Sequence, residues 1–326
     1  MALPHEDCRR GEAEIRAALL RAAERPAMGE KHAWSGLPRM AAQGHKRSRL
    51  AKRVDRAGRR TREGSRENHT NMKIATWNVN SLRVRLPQVL RWLDAHRPDV
   101  LALQETKTED RHFPVAEFEA AGYSAAFCGQ PTYNGVALLS RLSMEVFATA
   151  LPDFNDPQKR VLAATVGSLA VINLYVPNGQ SIESDKFRYK LEWLSQLNLW
   201  VTTLLDKYPQ LAILGDFNIA PADRDVHDPQ VWVGQVLVSE PERAAFRQLL
   251  EHGLRDSFRL HQNGGGFYSW WDYRAAGFSR NQGLRIDHIL LSPALAERSL
   301  ATVIDREPRG WERPSDHAPV IAELGR

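Results

Sequence analysis

Leu211-Ala212-Ile213-Leu214-Gly215-Asp216-Phe217-Asn218 is the stretch on which the fold turns. Four apolar residues, a glycine and a carboxylate read as a buried strand that runs out at a polar rim. The pattern repeats outward from there. The run ending at Trp77 is followed by Asn78, and Val100–Gln104 is followed by Glu105. On the other side, Asp287 opens an apolar run and Asp316-His317 precedes the last one. Expected strands are Lys73–Trp77, Val100–Gln104, Tyr123–Phe127, Val136–Ser140, Val146–Ala150 and Val161–Val166. They continue with Ala170–Val176, Leu211–Gly215, Gly266–Trp270, Ile286–Leu291, Thr302–Ile304 and Ala318–Glu323. Each is short, rich in β-branched or aromatic residues, and bounded by turn formers.

Three helices are expected between them. In Phe187–Leu205 the apolar residues recur at three- and four-residue steps. Ser239–His252 opens with a Ser239/Glu242 capping box and stops at Gly253. Leu86–Ala95 carries Pro87 near its start. Many short strands with a few interposed helices point to an α/β domain of two packed sheets with helices outside, over residues 72–326. In a mostly antiparallel sandwich, some strands end at the rim where their neighbours begin, so Asn78, Glu105, Asp216, Asn218, Asp287 and Asp316-His317 can meet there.

Composition narrows the class. The chain has 326 residues, 43% hydrophobic and 25% charged, enough for a sizeable core. Its net charge of +5 is unevenly placed. Residues 1–71 hold 17 Lys+Arg against 9 Asp+Glu, a net of +8, while 72–326 hold 27 against 30, a net of −3. Global basicity is therefore no argument that the body binds DNA. Trp34 is the one aromatic residue before position 72, so residues 1–71 read as a disordered basic leader. Three readings stand for it: a mis-assigned start ahead of Met72, a tail adding phosphate affinity, or an organelle presequence. Two cysteines, Cys8 and Cys128, form no zinc or disulfide framework, which suits a reducing compartment. The uncharged run from Val161 to Val176 is too short and polar to span a membrane, and Gly167-Ser168 within it reads as a hairpin turn. No apolar signal segment is expected at the N-terminus.

Carboxylates and amide oxygens with one imidazole and no thiolate suit a hard cation, Mg²⁺ or Mn²⁺. An Asp beside a His near a strand start suits a stabilised imidazolium. Phosphodiester hydrolysis needs these parts: an activated water, charge neutralisation and leaving-group stabilisation. Singly, each has an ordinary alternative. Asp216-Phe217-Asn218 can be an Asx-turn, and Asp316 can cap the last turn.

Together, five ordered motifs carry a resemblance: Trp77-Asn78-Val79-Asn80-Ser81-Leu82-Arg83, Gln104-Glu105-Thr106-Lys107, Gly215-Asp216-Phe217-Asn218, Leu284-Arg285-Ile286-Asp287 and Ser315-Asp316-His317-Ala318-Pro319. Over 72–326 the chain resembles the exodeoxyribonuclease III branch, which includes abasic-site endonucleases, of the endonuclease/exonuclease/phosphatase superfamily. The resemblance implies a DNase I-like, four-layer α/β-sandwich of two facing, mostly antiparallel sheets flanked by helices. It implies a Mg²⁺-dependent deoxyribonuclease, cutting duplex DNA 5′ to abasic sites and trimming 3′ ends. Glu105 would be the principal metal ligand, with Asn78 and Asp316 as contributors and Asp216, Asn218 and His317 close by in the metal shell. Asp216 would orient or deprotonate the attacking water, and Asn218 would hold water and phosphate. His317, oriented by Asp287, would stabilise the scissile phosphate oxygen. Tyr175 matches the family's active-site tyrosine and Asn178 its phosphate contact.

The segment Gly264–Arg274 with Leu284 and Ile286 resembles the family block that forms a pocket for an extruded abasic sugar. Trp270, Leu284 and Ile286 would line it. Lys107, Arg83, Arg274 and Arg285 read equally as phosphate contacts or as ordinary surface charge. The dense Asp223-Arg224-Asp225-Val226-His227-Asp228 matches no family motif and is not expected to bind the metal, and His288 is expected to face away from Asp287. The partner implied is double-stranded DNA, met by a monomer in a bacterial-type cytoplasm, with no membrane. Two rivals remain: a superfamily phosphodiesterase or phosphatase for lipid or small-molecule phosphates, and a catalytically dead nucleic-acid binder.

Overall fold

The computed structural model describes residues 71–325. The leader expected over residues 1–71 lies, but for Asn71, outside them. Twelve strands form two six-stranded sheets. In chain order they are β1 Asn71–Asn78, β2 Val100–Gln104, β3 Ser124–Cys128, β4 Val136–Ser140, β5 Met144–Ala148 and β6 Val161–Val166. There follow β7 Leu169–Tyr175, β8 Leu211–Asp216, β9 Arg255–Asp256, β10 Asp287–Leu291, β11 Ser299–Ile304 and β12 Val320–Gly325. One sheet has the order β11-β12-β1-β2-β4-β3, the other β5-β6-β7-β8-β10-β9.

Both sheets follow one plan. Each has a single parallel pair at its centre, β1 with β2 and β7 with β8, and antiparallel pairs elsewhere. A parallel pair needs a crossover, and each crossover is a helix: Leu82–His96 between β1 and β2, Asp185–Lys207 between β7 and β8. Gly167, at φ +61, makes the β6–β7 hairpin turn expected there. The helix expected from Leu86 starts a turn earlier, because Leu82 anchors it to the core.

Strand alternation sorts the side chains. Ile74, Val100, Ala102, Val171, Ala212, Leu214, Ile289 and Ala322 pack between the sheets. The alternate residues Ala75, Trp77, Leu101 and Leu103 pack under helix Leu82–His96 with Val89 and Trp92. Ile172, Leu174 and Ile213 pack under Asp185–Lys207 with Trp193, Leu197 and Phe246. Helix, sheet, sheet, helix is the four-layer sandwich. By the same parity Asn78, Gln104, Asn173, Tyr175, Asp216 and Asp287 face inward, where the sheets reach their shared rim.

One expected strand is absent. Gly266–Trp270 forms only isolated bridges, from Trp270 to Leu284 and to His317. The amides of Ser269 and Trp270 both donate to Leu284 O, while Ser269 O accepts from Ala318 N. Its backbone divides its bonds between two neighbours, so no ladder forms. The two-residue β9 carried no sequence signal.

Asn173 closes the interior beneath the rim. It is fully buried, and its Nδ2 donates to Leu103 O at 2.9 Å and Ala137 O at 2.8 Å across the sheets. Its Oδ1 accepts from Gln104 Nε2, which also donates to Thr76 Oγ1, both at 2.8 Å. Asn173→Leu strips these bonds without opening a void, and buried polar groups left unpaired cost roughly 1–3 kcal/mol each. Urea unfolding of the variant is expected to show a loss on the order of 3 kcal/mol. An unchanged midpoint would contradict this account of the interior.

Candidate active site

At the rim the expected residues come together from both sheets. Asp216 ends β8 and Asp287 begins β10, directly opposite each other in the ladder. Two carboxylates so placed repel. The imidazole of His317, just before β12 of the other sheet, stands against both. Its Nδ1 is 2.9 Å from Asp287 Oδ2, and its Nε2 is 3.7 Å from Asp216 Oδ2. Burial alone would push the imidazole down, but Asp287 and then Asp216 outweigh it and raise its pKa to about 10. Burial lifts Asp216 to about 7, against the pull of His317 and with a further push from Asp287. His317 is therefore an imidazolium, and Asp216 is poised near neutrality.

Glu105 lies beside this group. One ligand atom each from Glu105, Asp216 and His317 falls within 4.8 Å of the others, the one such grouping of acids, histidines and cysteines among the described residues. Asn78 holds the two acids together, with Nδ2 donating to Glu105 Oε1 at 2.8 Å and Asp216 Oδ2 at 2.9 Å. Its Oδ1 accepts from Asn80 N at 2.9 Å. Lys107 Nζ lies 2.9 Å from Glu105 Oε2 and donates to Asn80 Oδ1, so this corner already holds a cation. The hard carboxylate oxygens of Glu105 and Asp216 fit Mg²⁺ or Mn²⁺. His317 belongs to the grouping by distance, with Nδ1 against Asp287 and Nε2 turned towards Asp216. Asp316 stands outside the grouping. Its Oδ1 accepts from Asn80 Nδ2 and its Oδ2 from Trp270 Nε1. Burial would raise its pKa, yet His317 and these bonds hold it below the usual carboxylate range.

Tyr175 pairs with Asp216 across β7 and β8. Burial, with Glu105 and Asp216 close by, pushes its phenol well above the usual range, so it keeps its proton. Asn178 Nδ2 donates to Asn218 Oδ1 at 3.0 Å. Asn218 Nδ2 donates to Val176 O at 3.0 Å and Asp216 Oδ2 at 3.3 Å. Several of these residues occupy the left-handed region: Asn80, Glu105, Lys107 and Asn218 have φ between 42° and 51°. Side chains tolerate that poorly, and such strain gathers at functional sites. Gly215 has φ 146°, and a Cβ there would overlap the Leu174 carbonyl oxygen. Only glycine lets β8 lie this close to β7 one residue before Asp216.

Three supporting side chains had no sequence reading of their own. Ser269 Oγ donates to Asp287 Oδ2 at 2.6 Å and accepts from the amides of Ile286 and Asp287. Ser315 Oγ donates to Asn78 O at 2.7 Å. Asn80, inside a quoted motif, bridges Lys107 and Asp316. Hydroxyls and amides carry neither charge nor periodicity, so the one available signal was adjacency to a motif residue.

Two expectations change. Leu284 and Ile286 have 0% and 1% of their surface exposed, covered in a cluster with Val226, Leu237 and Val238. They back the expected sugar pocket, and Trp270 alone of the three offers surface to a ligand. Arg285 is no phosphate contact. It is buried, with Nε on Asp225 Oδ1 at 2.6 Å, Nη2 on Asp256 Oδ2 at 2.7 Å and Nη1 against His288 Nδ1 at 3.0 Å. Asp225, in the acid-dense segment, also pairs with Arg259 and is spent on arginines. His288 does face away from Asp287, against Phe217 and Phe246. Arg274 is exposed and paired with Asp272.

Comparison with known proteins agrees with this geometry. The pattern of the Endonuclease/Exonuclease/phosphatase family matches residues 75–317. Exodeoxyribonuclease III of Haemophilus influenzae is 39% identical over 266 residues, covering 78% of this chain and all of that protein. The 3′ phosphatase NExo from Neisseria, solved with a product DNA hairpin, is 49% identical with a TM-score of 0.75, over 78% of this chain and 100% of its own. An AP endonuclease from Archaeoglobus fulgidus is 41% identical with a TM-score of 0.74, over 77% and 98%. The chain belongs to the exodeoxyribonuclease III branch of the endonuclease/exonuclease/phosphatase family.

Proposed function

We propose that this chain is a metal-dependent DNA repair nuclease that hydrolyses duplex DNA 5′ to abasic sites and from 3′ ends, with residues 72–326 as its catalytic domain. The observation that carries the reading is the grouping of Glu105, Asp216 and His317 at one strained rim. We assign Asp216 as the group that orients the attacking water and takes its proton. The His317 imidazolium, aimed by Asp287, faces a non-bridging oxygen of the scissile phosphate and stabilises its developing charge. The amides of Asn218 and Asn178 hold water and phosphate, and the Tyr175 phenol donates towards the same oxygens. Glu105 is the chief ligand for Mg²⁺, with Mn²⁺ as substitute, and the ion when bound neutralises phosphoryl charge. Trp270 is the wall that an extruded, baseless sugar meets. The protein acts as a monomer in the cytoplasm, a placing that its two cysteines suit.

A panel of three substrates tests the activity: an abasic-site duplex, a blunt duplex and a 3′-phosphate primer. Cleavage of the first two is expected with Mg²⁺ and stops with EDTA. Glu105→Gln keeps the shape and removes the charge, so a fall of at least about a hundredfold is expected with the fold intact by circular dichroism. A variant as active as wild type at saturating metal would sink the ligand assignment.

The pH profile tests His317. It acts in its protonated form, so kcat/KM on the abasic duplex is expected to fall as pH rises towards 10. Asp287→Asn removes the main charge that holds the proton, which lowers the pKa and moves the alkaline limb to lower pH by more than about one unit. An unmoved limb would count against an imidazolium aimed by Asp287.

Trp270→Ala tests the sugar contact. Losing one aromatic wall is worth on the order of 1–3 kcal/mol, or roughly one to two orders of magnitude in selectivity. The ratio of abasic-site to intact-site cleavage is expected to fall by that factor. A folded variant with the wild-type ratio would remove Trp270 from the pocket.

A further inference from the structure

Lys190 is a fully buried lysine in the helix Asp185–Lys207, and the chemistry above gives it no task. An ammonium has three hydrogens to donate, and three acceptors surround it. They are the Asn218 carbonyl at 2.7 Å, the Asn178 carbonyl at 3.1 Å and the carboxylate of Glu242. Glu242, from the first turn of helix Glu240–Glu251, also accepts from the amides of Leu237 and Ser239, both at 3.0 Å. One buried charge pair thus joins two helices to the two loops that leave β7 and β8. The Asn178 loop rests on the lysine stem, since a Cβ at Gly179 would come within 3.2 Å of Lys190 Cδ. Buried ion pairs are weak devices for stability, because desolvation offsets much of the attraction. What this one supplies is position. The carbonyls it gathers belong to the two asparagines whose side chains are bonded to each other at the rim.

We propose that Lys190 is a positioning residue for phosphodiester hydrolysis: its ammonium, neutralised by Glu242, fixes the backbones of Asn178 and Asn218 so that their amides meet the phosphate together. The proposal rests on the nuclease reading above. It acts through the two asparagines, so its loss misplaces them without removing them. Misplacement by about 1 Å can cost on the order of a hundredfold in rate.

The test uses the full chain with Mg²⁺ and the abasic duplex. Lys190→Met with Glu242→Gln removes both charges and leaves no buried ion unpaired. kcat is expected to fall by about ten- to a hundredfold with KM within about threefold, because the amides matter most in the transition state. Combined with Asn178→Ala, the loss is expected to fall at least about tenfold short of the product of the separate losses. Losses that multiply, or no loss in kcat, would overturn the proposal. Side-chain amide NMR signals of Asn178 and Asn218 supply a readout independent of activity, and both are expected to shift in the variant. If they stay in place, the proposal fails whatever the rates. A wild type inert on all three substrates would defeat the nuclease reading and leave the spectrum to judge this one. Should the pair of changes prevent folding, Lys190→Gln with Glu242→Gln is read by the same two measurements.

Discussion

One imidazole between two carboxylates holds the rim together. Asp216 and Asp287 sit opposite each other on neighbouring strands of one sheet, where like charges destabilise the pairing. His317 reaches them from the other sheet and carries the opposite charge. The contact does three things at once. It relieves the repulsion in the ladder, it ties sheet to sheet by charge, and it leaves a cation facing the space where an anion would lie. Proton affinity at His317 and Asp216 is then a shared property, since each bears on the charge state of the other.

The fold was legible because strands announce themselves locally. Short apolar runs such as Ile74–Trp77 and Leu211–Leu214 mark the strands, and turn residues tell where each run stops, whereas the face of each side chain is set by the ladder. The site was legible only jointly: each polar strand end has an ordinary use as a turn or cap, but Asn78 and the carboxylates Glu105, Asp216, Asp287 and Asp316 stand at five such ends in order. What escaped was decided by partners far away in sequence. In sequence Arg285 reads as a phosphate contact or as surface charge, and Asp225 as one acid of a dense loop segment. The two form one buried pair, 60 residues apart. Ser269 lay inside an aromatic block and gave no sign that it would hold the Asp287 carboxylate. Leu284 and Ile286 were read as an apolar wall, correct in chemistry, but the loop through Leu237 covers them.

The common plan of the two sheets explains why one rim collects so much. In each, the two parallel strands run the same way, so their ends and the helices that follow them open on the same side. Glu105 follows β2 and Asp216 ends β8 at equivalent places in the plan. The left-handed residues Asn80, Glu105, Lys107 and Asn218 cluster here because chains leaving parallel strands must turn sharply while their amides and carboxylates stay aimed inward. The rim spends local backbone energy, and the inter-sheet bonds of Asn173 and the His317 trio keep that strain from relaxing.

Gly215 carries this into evolution and protein engineering. Its lack of a side chain is what brings the backbone of β8 against Leu174, and it sits one residue from the carboxylate that must face His317. A saturation-mutagenesis screen scored by survival under DNA damage would mark position 215 as severely as position 216. Its fitness profile would be that of a residue with chemistry, although it has none. Tolerance maps of such a rim report where the backbone has no room as well as where the reaction happens, and only the geometry separates the two.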